Sequence, residues 1–284
     1  MKTIFLAIAF LFFSQIGNGQ DKKPYQVFDK NGKKTSYNKL LKATQNSEVV
    51  LFGEFHDNPI SHWLELVLTK DLAKKSNLVL GAEMFEADNQ SQLNQYLKDE
   101  INQKKLDSTA RLWPNYKTDY KPLVDFAKQK NIPFIATNIP RRFASLVFKQ
   151  GFESFEKLSD SEKSWIAPLP IVYDATLPGY VKMVQEMGGH GGENLPKAQA
   201  VKDATMAYFI IKNKKENAIF LHFNGSYHSD NYEGIYWYLK KYSTEIKIVT
   251  IATVTQNNIS ELEKEQINKA DFIIVVDEDV TKTY

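Results

Sequence analysis

Short, unbroken apolar runs recur along the chain, and the early ones hand over to polar residues. Val49-Val50-Leu51-Phe52 ends at Gly53-Glu54, and Leu78-Val79-Leu80 ends at Gly81-Ala82-Glu83. Ile132–Ala136 ends at Thr137-Asn138, and Ala218–Leu221 runs into His222-Phe223-Asn224-Gly225. Ile246–Ile251 and Phe272–Val276 follow. Consecutive apolar positions over such short stretches read as strands buried on both faces. Between them lie stretches of helical period: Ser61–Lys75, Asn89–Glu100, Leu123–Lys130, Arg141–Gln150, Pro196–Asn213, Tyr232–Tyr242 and Ser260–Lys269. Strand–helix alternation predicts an α/β fold, a mainly parallel sheet flanked by helices. The order of the strands is not in the pattern. Residues 20–46 are polar and Lys-rich and read as a surface lead-in. Residues 151–195 break the rhythm with Pro168, Pro170, Pro178 and the run Gly188-Gly189-His190-Gly191-Gly192. They read as a helical insertion in a single domain spanning 20–284.

The first residues follow another logic. Lys2 precedes an apolar run, Ile4–Phe13, which leads to Gly17-Asn18-Gly19. A basic start, a short apolar core and small residues make a secretory signal, with cleavage expected after Gly19. The run is too short for the roughly twenty residues that span a bilayer. The chain has no cysteine, so it carries no disulfide and no lipid-acceptor thiol after the signal. The expected location is therefore periplasmic or secreted. Net charge is +2, from 36 basic against 34 acidic residues with the signs interspersed, which gives no electrostatic footprint for nucleic acid.

In open α/β sheets ligands bind beyond the carboxyl ends of the strands. Here those ends deliver Glu54 and His56, then Glu83, then Asn138 and Arg141, then Asn224 and His228. Turns alone would be served by Gly, Asn and Asp rather than Glu and His. Each residue also has a plainer reading. Glu54 can cap the helix beginning near Pro59. Glu83, set among apolar residues, can be a buried carboxylate paired with Arg141 or Arg142. His62 and His222 read as structural, the latter as a hydrogen-bonded core histidine. Gln199, Asp203, Met206 and Ile210 fall on one helical stripe. A polar start to an apolar face suits a helix that packs on the sheet and reaches the site.

Two ligands suit such a set. One is a divalent metal (Mn or Zn) held by Glu54, His56, Glu83 and His228, with an open position for hydrolysing an ester or peptide. The other is haem, which needs an axial donor, cations for its propionates and apolar walls. The insertion and its flank offer Tyr173, Tyr180, Met183, Met187, His190, Lys182 and Lys197 for that purpose.

The segments Gly53-Glu54-Phe55-His56-Asp57-Asn58-Pro59 and Gly81-Ala82-Glu83-Met84-Phe85 are similar to the opening of the ChaN-like haem-binding proteins. Ala136–Arg142 resembles their Asn-x-Pro-Arg segment, and Gly189-His190-Gly191-Gly192 their Gly-His loop. Ala198–Ala207 resembles their Ala-Gln-x-x-x-Asp-x-x-Met-Ala helix, and Gly225-Ser226-Tyr227-His228 their late Gly-x-x-His. The matches run in order over roughly residues 45–255. The resemblance implies exported haem-binding proteins linked to haem or iron acquisition, and a homodimer that can hold haem between subunits. An outer-membrane haem or iron receptor is the partner such a role implies. It further implies a tyrosine iron ligand, for which Tyr180 and then Tyr173 are the candidates, with His190, Arg141, Asn138, Gln199 and Asp203 as cofactor-binding residues. Many relatives are lipoproteins, and this chain lacks the cysteine. The family belongs to a wider group resembling erythromycin esterases and TraB/Tiki metalloproteases. That kinship keeps the metal-hydrolase alternative on Glu54, His56, Glu83 and His228 open.

Overall fold

The computed structural model describes residues 22–186 and 192–284. The strands are β1 (Tyr25–Asp29), β2 (Lys34–Thr35), β3 (Val49–Glu54), β4 (Asn77–Glu86), β5 (Phe134–Asn138), β6 (Ala218–Gly225), β7 (Ile248–Gln256) and β8 (Phe272–Asp277). They form one sheet in the order β2-β1-β8-β7-β3-β6-β4-β5. The ladders from β8 across to β5 are parallel, and β1 pairs antiparallel with both β8 and β2. The helices are α1 (Tyr37–Thr44), α2 (Pro59–Ala73), α3 (Gln90–Leu97), α4 (Gln103–Thr109), α5 (Lys121–Lys130), α6 (Arg141–Gln150), α7 (Asp160–Lys163), α8 (Pro178–Glu186), α9 (Asn194–Asn213) and α10 (Ile235–Tyr242). The architecture is the α/β fold that the alternating pattern predicts.

Successive side chains of a strand point to opposite faces, and β3 shows both cores at once. Val50 and Phe52 pack with Leu64, Leu68 and Leu72 of α2 and with residues of α3, α4 and α5. Val49 and Leu51 pack on the other face with Val147 of α6, Val201 and Ile210 of α9, and Leu239 of α10. The insertion joins this second core through Phe155, Ile166 and Ile171. Apolar burial on both faces explains why β3 reads as a continuous run. None of the helices among the described residues is long and apolar enough to cross a membrane.

Two expectations fail. The stretch read as a surface lead-in contains β1, whose Val27 and Phe28 are buried on opposite faces of the sheet. Ser260–Lys269 is not a helix beyond a single 3-10 turn, Lys264–Gln266. Side chains there take the backbone groups that a helix would pair: Asn258 Oδ1 accepts from Ser260 N, and Gln256 Nε2 donates to the Asn258 and Glu261 carbonyls. Ile259 and Leu262 still bury, against the Phe28 side of the sheet.

The chain leaves β3 toward β4 on one flank and leaves the adjacent β6 toward β7 on the other. Neighbouring strands with outgoing connections in opposite directions open a crevice at their carboxyl ends. Glu54 ends β3 and Gly225 ends β6, side by side in register.

Candidate functional site

Asn58, not Glu54, caps α2: its side chain accepts from Ser61 N, and Pro59 opens the first turn. Glu54 is thereby free for other work. It is 1% exposed, and its Oε1 accepts from the Tyr120 hydroxyl at 2.7 Å and from His56 Nδ1 at 2.7 Å. With Nδ1–H so engaged, the His56 ring turns Nε2 toward Gly225; despite burial, the Glu54 hydrogen bond and the Glu83 charge raise its pKa. A Cβ on Gly225 would sit 2.8 Å from that Nε2 and 3.5 Å from Glu83 Oε2. The absence of a side chain at 225 is what lets the ring and the carboxylate share this corner.

Tyr120 arrives on a π-helical turn, Tyr116–Tyr120, of the kind that recurs at functional sites. Asn115, at its start, donates to the His56 carbonyl at 3.1 Å and to Asp119 at 2.8 Å. Trp113 packs edge-on against the His56 ring, with centroids 4.8 Å apart.

The second cluster surrounds His228. A register shift in β4 after Ala82 redirects the strand at Glu83, the usual effect of a bulge. Glu83 Oε1 lies 3.1 Å from His228 Nε2, and Oε2 accepts from Gly225 N at 2.8 Å. From α9, Asp203 Oδ1 meets His228 Nδ1 at 2.5 Å, and the Gln199 amide end lies 2.8 Å from the same nitrogen. Burial opposes charge on the ring, but the Glu83 and Asp203 carboxylates overcome it and hold the His228 pKa up at about 10. Glu83 is driven the other way: despite burial, His228 keeps it well below the usual carboxylate range. Burial raises Asp203 instead, yet its short contact to Nδ1 is a charge-assisted bond with the proton on the ring. His228 is thus an imidazolium between two acids.

The other sequence candidates fall into place unevenly. Gln199 and Asp203 join the His228 cluster. Arg141 stands exposed at the start of α6 and is not a partner of Glu83. Arg142 pairs with Asp88 at 2.6 Å and likewise leaves Glu83 to His228. Asn138 ends β5 beside Glu86, its buried Oδ1 without a partner, away from both clusters. His222 is a core histidine as expected, bonded to Thr137 Oγ1 and Asn224 Oδ1, and burial lowers its pKa to about 4. Tyr180 is 5% exposed with its hydroxyl 3.5 Å from Asp203, and Tyr173 stacks on it at 5.6 Å. Burial, then the Asp203 charge, pushes the Tyr180 phenol far up, so it stays a neutral donor. His190 and the predicted signal, residues 1–19, lie outside the described residues.

As a metal centre, Glu54, His56, Glu83 and His228 do not close. Both nitrogens of His228 face carboxylates, and Glu83 is spent on His228 and Gly225 N–H. Among the described residues, the set whose ligand atoms all lie within 4.8 Å of one another is Glu54, His62 and Glu65. A protonated His228 is also no general base, which weakens the hydrolase alternative.

Above the strand ends lies a cleft of about 660 Å³ whose lining includes Phe55, His56, Tyr227, Val280, Lys282 and Tyr284. A broader depression of about 990 Å³ opens at the opposite end of the sheet, among Asn77, Lys214 and Lys247. It adjoins none of the clustered acids and imidazoles, and the carboxyl-end rule favours the smaller cleft. Tyr227, 45% exposed, anchors its hydroxyl on the Gly179 carbonyl at 2.8 Å, tying the cleft wall to α8.

No curated protein matches the chain significantly in sequence. Among solved structures, ChaN of Campylobacter jejuni, solved with cofacially bound haem, is similar with a TM-score of 0.66 at 18% identity, over 89% of this chain and 96% of that one. The type III effector HopBA1 aligns with a TM-score of 0.50 at 12% identity, over 84% and 90% of the two chains. The erythromycin esterase EreC gives 0.49 at 9% identity, over 89% and 82%. At such identities the likenesses to ChaN and HopBA1 show the fold alone. The sequence itself carries more: residues 40–239 match the model of the family described as haem-binding uptake, Tiki superfamily, ChaN. The chain belongs to that haem-binding uptake family.

Proposed function

We propose that this protein is an exported haem-binding protein serving haem or iron acquisition, and that it takes haem in the cleft over β3 and β6. The observation that carries the reading is the family match over residues 40–239, which spans the strand ends that form that cleft. The residues present fit the group. Phe55, Val280 and Tyr284 give apolar and aromatic walls, and Lys282, which pairs with Asp57 at 2.6 Å, is a cation on the lining that a propionate could share. The Tyr227 phenol, on releasing the Gly179 carbonyl, and the His56 ring on the cleft floor would hold the iron. When bound, haem would supply a Lewis-acidic and redox-active iron centre.

This chain's own residues prepare the site. Glu54 fixes the orientation of the His56 ring through Nδ1–H. Tyr120 and Asn115 hold that pair from behind. Tyr227 is favoured over Tyr180 and Tyr173 because its phenol reaches solvent, whereas that of Tyr180 is buried against Asp203. A second copy presenting the same cleft would enclose more of the porphyrin than one cleft does.

Hemin titration of the purified protein tests the reading. A shifted Soret band that saturates is expected. Tyr227→Phe should move that band and weaken binding about tenfold, while Tyr180→Phe leaves it in place. The absence of any Soret shift in the wild type would overturn haem binding. Export is checked by mass spectrometry of the mature chain, which should begin at Gln20; an intact Met1 in secreting cells would overturn it.

A further inference from the structure

The outer oxygen of Glu54 is accounted for by His56 and Tyr120, but its inner oxygen is not. Glu54 Oε2 is buried and makes no hydrogen bond. Next to it, on the first two turns of α2, stand His62 and Glu65. Glu65 is 0% exposed, and neither of its carboxylate oxygens makes a hydrogen bond. Two carboxylates therefore meet in the interior with unpartnered oxygens turned toward one imidazole nitrogen. Buried carboxylates persist where a cation, a proton or strong donors compensate them.

The imidazole is oriented as a ligand; without an ion, and despite burial, Glu54 and Glu65 hold its pKa up at about 11, so a bound ion would take the place of a ring proton. His62 Nε2 lies 3.0 Å from the His56 carbonyl oxygen, which can only accept, so Nε2 carries the hydrogen. Metal-binding histidines commonly donate their second ring N–H to a backbone carbonyl in this manner. Nδ1 is left facing Glu54 Oε2 at 2.9 Å and Glu65 Oε2 at 3.5 Å, outside hydrogen-bond geometry. An ion bonded at about 2.1 Å to nitrogen and oxygen separates its donors by roughly 3.0–3.4 Å, and the observed 2.9 and 3.5 Å fall just below and just above that range. One donor from each of the three residues lies within 4.8 Å of the other two.

We propose that Glu54, His62 and Glu65 hold a divalent cation of the kind that takes mixed nitrogen and oxygen ligands, zinc or manganese, in a buried site beneath the cleft. The ion would clamp the carboxylate whose other oxygen orients His56, tying the rigidity of the cleft floor to metal content. The site lies beyond the haem reading and does not depend on it.

Cobalt(II) titration of tag-free, chelator-treated protein is the direct test, because it needs no variant. One equivalent bound, with visible absorption bands of nitrogen/oxygen-ligated cobalt and displacement by zinc, is expected. Glu65→Gln, which keeps the shape, should weaken metal binding at least tenfold. The same variant should still give a saturable Soret shift with hemin, so failure of the haem reading and failure of the metal site are told apart. Should the wild type bind no cobalt, zinc or manganese, or should Glu65→Gln bind as tightly as the wild type, the proposal is overturned. A protonated-carboxyl infrared band in metal-equilibrated wild type, removed by Glu65→Gln, would overturn it equally, since a proton would then hold the place assigned to the ion.

Discussion

Two glutamates on the strands that flank β6, Glu54 of β3 and Glu83 of β4, are both buried beside histidines, and their surroundings are opposites. Both oxygens of Glu83 are satisfied, one by the His228 imidazolium and one by the Gly225 N–H. Glu54 is satisfied on one side only, and the acid beyond it, Glu65, makes no hydrogen bond at all. A closed network of this sort fixes geometry, since all its polar capacity is consumed within the protein. An open one keeps capacity for something that is not protein. The His228 cluster is therefore read as the scaffold of the cleft, and the Glu54 cluster as its chemically available part.

Cutting the closed network should show the largest effect. Glu83→Ala leaves the His228 cation with Asp203 alone and strands the Gly225 N–H, a loss of about 3–5 kcal/mol by analogy with other broken buried pairs. Urea denaturation measures it, and a loss under 1 kcal/mol would show that the network is not the scaffold. A pH dependence follows next. The His228 pKa is raised from 6.5 to about 10 on folding. Its contribution to stability is fully present below about pH 6.5 and is lost as pH rises through about 10. Melting temperature should fall across that window, and His228→Asn should flatten the fall. The smallest effect carries the opposite sign. In chelator, Glu65→Met replaces a buried acid that makes no hydrogen bond with an apolar chain of similar volume, which should stabilise by about 1 kcal/mol. Added zinc should reverse the order of wild type and variant, because it binds only the former. If Glu65→Met destabilised the chelated protein by more than about 2 kcal/mol, the two clusters would not differ in the way described.

Much of this arrangement is legible in the sequence. The runs at Val49, Leu78 and Ala218 are buried on both faces, so their hydropathy is continuous and their polar endings stand out. That pattern leads directly to Glu54, Glu83 and His228, and the stripe on α9 leads to Asp203. The parts contributed from elsewhere are silent. Tyr120, Asn115 and Trp113 come from a stretch without periodicity and reach Glu54 only through the packing of α5 and its π-helical turn. His62 and Glu65 resemble an ordinary polar face of α2. The spacing of three that makes them neighbours was available in the sequence, but their burial was not, because it depends on that turn covering them. The strand β1 escaped notice for a related reason: Val27 and Phe28 are adjacent apolar residues in a Lys-rich setting, and only the antiparallel pairing with β8 gives each a face to bury.

That same hairpin has a bearing on how two molecules could meet. By lying against β8, β1 consumes the hydrogen-bonding rim on that side of the sheet, and β2, Lys34–Thr35, is too short to offer a neighbour a useful ladder. Charged, abbreviated edges of this kind discourage strand-to-strand joining between molecules. At the other edge the Gln90 side chain takes the Ala136 N–H and the Phe134 carbonyl of β5, so both rims of the sheet are interrupted against the addition of a further strand.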